Sequence, residues 1–247
     1  MWIGDGTSNR VLVSPQGGSV LLWQRGRHFV LGPARTVEVG GELKLRGETH
    51  WCFPNFGTVR APQYAASHRK HGWLRDSILE TRSHGQVHAH FVAPPPDFYL
   101  PVAVSVCVDE SALRASLSVT NRGEERVPIL PALHPYFATP EDGLRVMMGN
   151  NIVAQVFSDQ EPWRVSDEAR VLERTGDVRV ILCGVGTVDL RLPKSCTHMV
   201  VWSDRPDSYV CVEPVFGRPG TFGDPDGRWL APGETAECDV TFEFAPA

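Results

Sequence analysis

Alternation constrains this chain more than any other feature: three segments change between apolar and polar at nearly every residue. Leu113, Ala115, Leu117 and Val119 are apolar, while Arg114, Ser116, Ser118 and Thr120 between them are small, polar or charged. Cys238, Val240, Phe242 and Phe244 interleave with Asp239, Thr241 and Glu243, and Val102, Val104, Val106 and Val108 form a third set. Successive side chains of a strand point to opposite faces, so each segment has one face for a core and one for a wetter surface. Shorter apolar runs at 11–13, 20–23, 178–183 and 199–202 predict further strands. Turn signals separate them: Gly17-Gly18, Gly40-Gly41, Asn121-Arg122-Gly123, Pro225-Asp226-Gly227 and Pro232-Gly233.

Helical periodicity is weak throughout, and 166–174 is the one stretch where a turn or two of helix is expected. The only hinge-like segment is 93–97, with Pro94-Pro95-Pro96. The sequence on either side is similarly strand-like, so it reads as a loop within one domain spanning 1–247. Many short strands, few helices and a single core predict an all-β fold, a large antiparallel β-sandwich. At 247 residues the chain can bury an ample core without disulfides or a structural metal.

The formal net charge of −5 argues against a generic nucleic-acid surface. A local arginine pair can still receive an anionic small molecule. Six scattered cysteines with no C-x-x-C pair favour reduced, buried thiols over a zinc site or a disulfide framework. The start, MWIGDGTSNR, lacks the apolar run of a signal peptide, and no stretch approaches the ~18 apolar residues of a membrane span. The expectation is a cytoplasmic enzyme or binding protein, without membrane or nucleic-acid partners, as a monomer or weak homodimer.

Several polar residues sit in contexts too apolar for an ordinary surface. His134 follows the apolar run 127–133, Glu213 lies within Tyr209-Val210-Cys211-Val212-Glu213-Pro214, and Asp204 ends Val200-Val201-Trp202-Ser203-Asp204. His71 opens His71-Gly72-Trp73-Leu74-Arg75-Asp76. A buried carboxylate must find partners or raise its pKa, and a raised pKa is what a base working near neutrality needs. Each residue alone also has a structural reading: a histidine after a strand commonly caps or hydrogen-bonds, a strand glutamate commonly faces water, and Arg46 and Arg75 alone read as surface arginines.

Two other arrangements compete. His84, His88 and His90 cluster, and His88 and His90 would share a strand face as metal ligands do in a cupin-type barrel. Such a site wants a Glu soon after, and Phe91-Val92-Ala93-Pro94-Pro95-Pro96 follows instead. A hydrolytic carboxylate pair, Glu213 with Asp204 or Glu80, is the other. No glycine-rich nucleotide loop and no G-x-S-x-G elbow is present.

Taken together, the blocks resemble the aldose 1-epimerase (galactose mutarotase-like) superfamily, nearest its hexose-6-phosphate 1-epimerase branch. Arg46-Gly47-Glu48-Thr49-His50-Trp51-Cys52-Phe53-Pro54-Asn55-Phe56-Gly57 is similar to that branch's R-G-G-x-P-x-x-F-P-x-F-G. His71-Gly72-Trp73-Leu74-Arg75 resembles H-G-F-A-R, and Leu133-His134-Pro135-Tyr136-Phe137 resembles L-H-x-Y-F. Trp202-Ser203-Asp204 and Cys211-Val212-Glu213-Pro214 resemble the W-n-p and C-x-E-P blocks. The shared order spans roughly residues 10 to 245.

The resemblance implies a β-supersandwich and a mechanism with no metal or cofactor. It implies that Glu213 is the general base at the C1 hydroxyl and His134 the general acid at the ring oxygen. His71 would bind the sugar, Asp204 would anchor hydroxyls or steady a catalytic group, and Trp73, Tyr136 and Phe137 would wall the sugar's C–H face. Arg46 and Arg75 match arginines that the phosphate-specific branch uses for its anion. The first block departs from pattern: Glu48 replaces a glycine and His50 a proline, and a carboxylate at Glu48 would be placed to neutralise Arg46. The implied partner is a small-molecule sugar or sugar phosphate, with a non-catalytic carbohydrate-binding or sensing module as the alternative.

Overall fold

The computed structural model describes residues 1–39, 41–93, 100–156 and 164–247. The Pro94-Pro95-Pro96 loop and Gly40 of the Gly40-Gly41 turn lie outside the described residues.

The three alternating segments form neighbouring strands, Val102–Val108, Ala112–Thr120 and Thr235–Pro246. Their apolar residues stand in register across the ladder: Val104 opposite Leu117, and Leu117 opposite Cys238. Register locked this way is costly to shift, because a one-residue slip would turn every apolar side chain to water. These strands sit within a nine-stranded antiparallel sheet that runs from Asn151–Gln155 at one edge to Glu80–His84 at the other. Its buried face packs on a second, ten-stranded sheet. Phe242 meets Trp23 at 6.3 Å and Phe137 at 5.9 Å between ring centroids, both from that opposing sheet. Truncating a fully buried phenylalanine of this kind costs ~3–5 kcal/mol.

The ten-stranded sheet carries the site. Its central strand, Tyr209–Val215, has every residue buried. Val210 and Val212 face the core between the sheets, whereas Tyr209, Cys211 and Glu213 face the opposite way. That second face is covered in turn. Phe56, Val59, Ala61 and Phe222 pack over Ala132, Val200 and Val215. A sheet buried on both sides explains why this strand reads as a continuous apolar run with no alternation.

The helix expected in 166–174 is not formed. Arg170–Glu173 is a strand paired antiparallel with His198–Trp202, at the edge of the ten-stranded sheet. Hydrogen bonding to a partner some 30 positions away overrides a weak local preference. Among the described residues the only helical pieces are Pro62–Ala65 and the 3-10 turn Leu74–Asp76.

Candidate active site

A cavity of about 460 Å³ opens on the covered face of the ten-stranded sheet, within the size range of small-molecule sites. Five of the six residues singled out in the sequence line it: Arg46, His71, Arg75, His134 and Glu213.

His134 and Glu213 form its most buried part. The strand Ala132–His134 pairs with His50–Cys52 on one side and with Tyr209–Val215 on the other, which brings residues 79 positions apart together. His134 Nε2 lies 3.3 Å from Glu213 Oε1, with both side chains almost fully buried. The imidazole is stacked between Tyr136 and His50, at 4.9 and 5.0 Å between centroids, so its plane is fixed. Burial pushes the Glu213 carboxyl up to about 8, only partly offset by the Lys70 ammonium. Burial, reinforced by His50, His71 and Arg75, holds His134 well below its ordinary 6.5. Both shifts favour the uncharged forms, so near neutral pH the pair holds a single proton and carries no net charge. Glu213 Oε2 and His134 Nδ1 are buried without a side-chain or main-chain partner among the described residues. Unpaired polar atoms in so dry a place are costly unless something else completes them.

His71 stands beside them in a strained conformation. Its φ of 66° is left-handed, and Gly72 follows at 71°. A Cβ on Gly72 would lie 2.0 Å from the Phe53 carbonyl oxygen, so only glycine fits there. Gly57 N–H donates to His71 Nδ1 at 3.3 Å, and the Cys52 thiol lies 3.3 Å from the same nitrogen. An Nδ1 that accepts leaves the ring proton on Nε2. Burial, with Lys70 and Arg75 nearby, lowers the His71 pKa to about 3. The ring is therefore neutral at pH 7 and offers one N–H donor.

Asp204 does not line the cavity. Arg46 donates to Asp204 Oδ2 from Nε at 3.1 Å and from Nη2 at 3.0 Å, and Tyr209 donates its hydroxyl to Oδ1. Asp204 thus fixes Arg46, whose guanidinium lies 5.8 Å from the Trp202 ring centroid. The neutralising carboxylate for Arg46 is Asp204 and not Glu48. Glu48 is buried, and burial raises its pKa, offset in part by Ser19 and Arg75.

The aromatic wall also differs from expectation. Tyr136 lines the cavity, but Phe137, adjacent on the same strand, faces the core between the sheets. Trp73 packs edge-on against Phe53 and is not part of the lining. Trp202 and Phe56 complete the apolar wall, with Trp202 held by a bond from its indole N–H to the Asp167 carbonyl. Lys70 and Asp167 also line the cavity, and neither stood out in the sequence.

The competing arrangements lie elsewhere. His84 lies on the edge strand of the nine-stranded sheet and His88 and His90 on the strand beside it; His90 Nδ1 bonds Ser105 Oγ at 2.8 Å and His84 Nε2 lies 3.1 Å from the Trp2 carbonyl. Glu80 is exposed on that same edge beside Arg82. With Asp204 committed to Arg46, neither Asp204 nor Glu80 faces Glu213 across the cavity as a hydrolytic partner.

This sandwich with its cavity is the galactose mutarotase-like fold. The chain is similar to the Slr1438 protein of Synechocystis sp. PCC 6803, at a TM-score of 0.78 and 18% identity over 100% of this chain and 95% of that one. It is also similar to a galactose mutarotase related enzyme from Lactobacillus acidophilus, at 0.73 and 16% over 99% and 97%. A galactose mutarotase-like protein from Lactobacillus casei ATCC 334 gives 0.74 and 14%, over 99% of both chains. No protein-family model and no curated protein sequence matches the chain. Among the described residues no helix is long and apolar enough to cross a membrane.

Proposed function

We propose that this protein interconverts the α and β anomers of an aldose by opening and reclosing the ring. The observation that carries the reading is the buried His134 Nε2–Glu213 Oε1 contact of 3.3 Å at the base of a sugar-sized cavity. Glu213, as carboxylate, takes the proton of the C1 hydroxyl while His134, as imidazolium, gives its Nε2 proton to the ring oxygen. The C1–O5 bond breaks, an aldehyde forms at C1, and rotation about C1–C2 presents its other face. The same two transfers in reverse reclose the ring.

Proton arithmetic favours this pair. Before opening it is a carboxylate and an imidazolium; after opening it is a carboxylic acid and a neutral imidazole. Each arrangement holds one proton, and the sugar loses one and gains one. The burial that disfavours both charges makes the carboxylate–imidazolium arrangement the scarcer form and favours the neutral pair that opening produces, and Lys70 partly offsets this at Glu213. His71 supplies an N–H donor for a sugar oxygen, and Tyr136 and Trp202 supply apolar surface for the C–H face.

The lining cations Lys70 and Arg75 support a sugar that carries phosphate, since paired cationic side chains suit that anion. Arg46 contributes less charge because Asp204 offsets it.

Anomer exchange measured by NMR for glucose, galactose and glucose 6-phosphate tests the reading. Wild-type protein is expected to accelerate exchange above the spontaneous rate, and His134→Ala and Glu213→Gln to lose the acceleration. A wild-type rate equal to the spontaneous one overturns it in favour of a carbohydrate-binding module. Arg75→Ala is expected to depress the phosphosugar rate more than the free-sugar rate; equal losses overturn the phosphate assignment.

A further inference from the structure

We propose that His134, Cys211 and Glu213 also form a site for one thiophilic divalent cation of the zinc class, bound at the base of the cavity in competition with sugar. One donor atom from each residue lies within 4.8 Å of the others, and all three residues are buried. Cys211 stands two residues before Glu213 on one strand, so their side chains share a face. The 3.3 Å between His134 Nε2 and Glu213 Oε1 matches the ~3.3 Å that separates tetrahedral ligands at zinc bond lengths of ~2.0–2.1 Å.

The donor set decides the metal class. A thiolate, an imidazole and a carboxylate suit zinc, whereas magnesium and calcium want oxygens throughout. Two anionic ligands also cancel the charge of a divalent ion, which a buried position requires. Glu213 Oε2 is buried and unpartnered, so no other group of the protein holds the carboxylate away from an ion bound through Oε1. His134 and Glu213 line the cavity, so a fourth ligand such as water would reach the ion from there. Coordination sends the thiol proton and the proton shared by the pair to buffer.

A bound ion occupies the Nε2 lone pair and the carboxylate on which the proposed ring opening depends, so it would arrest turnover. That consequence rests on the proposed function; the site itself does not.

Cobalt(II) titrated into the full chain carrying Cys107→Ser, which removes the one exposed thiol, is the direct test. One equivalent is expected to give a thiolate-to-cobalt charge-transfer band and the visible bands of four-coordinate cobalt, both erased by zinc. Cys211→Ser should abolish the charge-transfer band and weaken binding by at least ~10–100-fold, the loss that even an outer-shell partner causes. Glu213→Gln should weaken binding while keeping the band, which holds the proposal falsifiable if the Cys211 variant does not fold. No band, or a band that survives Cys211→Ser in folded protein, overturns the site. Zinc that binds through all three residues yet leaves anomer exchange untouched keeps the site and overturns the roles given to His134 and Glu213. Normal exchange with no cobalt binding does the reverse.

Discussion

The chain places ionisable pairs on both of its large sheets, and the two sets behave oppositely. On the outer face of the nine-stranded sheet, Arg191 lies 2.8 Å from Glu243 and Arg179 lies 2.6 Å from Asp189, with side chains about a quarter to three-fifths exposed. Ser116 and Ser118 bond Asp239 and Glu237 across the same face. Every one of these groups has a partner and water besides. On the ten-stranded sheet His134 and Glu213 have each other, almost no water, and one unpartnered polar atom apiece. Exposed pairs add little to stability and cost little, whereas a buried pair is expensive to desolvate and groups perturbed in this way cluster at functional sites. Of the two sets, His134 and Glu213 are the pair left incomplete by the protein's own groups, in keeping with the proposed sugar site.

The largest effect should come from breaking the buried pair. Glu213→Gln is expected to lower the turnover number by ~10²–10⁴-fold with little change in sugar affinity, because it removes proton transfer and keeps shape. Steady-state anomer exchange together with sugar binding by calorimetry separates the two quantities.

Alkaline pH should break the pair without mutation. With the Glu213 carboxyl at about 8, the shared proton is lost above that pH and the acid disappears, so kcat/KM should fall on that limb. Stability should move the same way. The folded chain binds this proton more tightly than the unfolded chain, so between 4.5 and about 8 rising pH lowers stability through this residue. Glu213→Gln is expected to flatten that part of the Tm profile. His134 and His71 act on the other side: held below 6.5, they lose stability as pH falls beneath that value.

A smaller effect should follow from Cys52→Ala. It leaves Gly57 N–H as the remaining contact that fixes the His71 proton, at a cost on the order of 1 kcal/mol, or about fivefold in rate. Nitrogen NMR of the imidazole reads the tautomer directly, and a ring still held on Nε2 with an unchanged rate would show that Gly57 suffices.

The smallest effect sharpens the contrast. Glu243→Ala should shift stability by ~0–1 kcal/mol, less still at high salt, measured by urea unfolding at two ionic strengths.

Strands with one wet face were legible because alternation is a local signal, and Val102–Val108, Ala112–Thr120 and Thr235–Pro246 all carry it. The Arg170–Glu173 strand was not legible, since its identity depends on a partner some 30 residues on. His134 and Glu213 stood out as polar residues in apolar runs, a trace of burial that sequence does record. What it does not record is pairing at a distance. Asp204 read either as an anchor for sugar hydroxyls or as a group that steadies another side chain, and only the fold shows that it holds Arg46, 158 residues away in the chain. Tyr136 and Phe137 looked equivalent until the strand turned them to opposite faces. Lys70 sits beside His71 without any local pattern to mark it, and Cys52 became relevant only when the fold set its sulfur against His71.

The single proton held between His134 and Glu213 has a consequence for the protein's dealings with solvent. A pair that starts and finishes each turnover with the same proton count, and whose halves exchange roles on the return, needs no outside donor or acceptor. Ring opening run through it should be indifferent to the concentration and identity of the buffer, unlike the same reaction free in water. Under the proposed function the cavity is a closed proton circuit, with solvent serving only to carry sugar in and out.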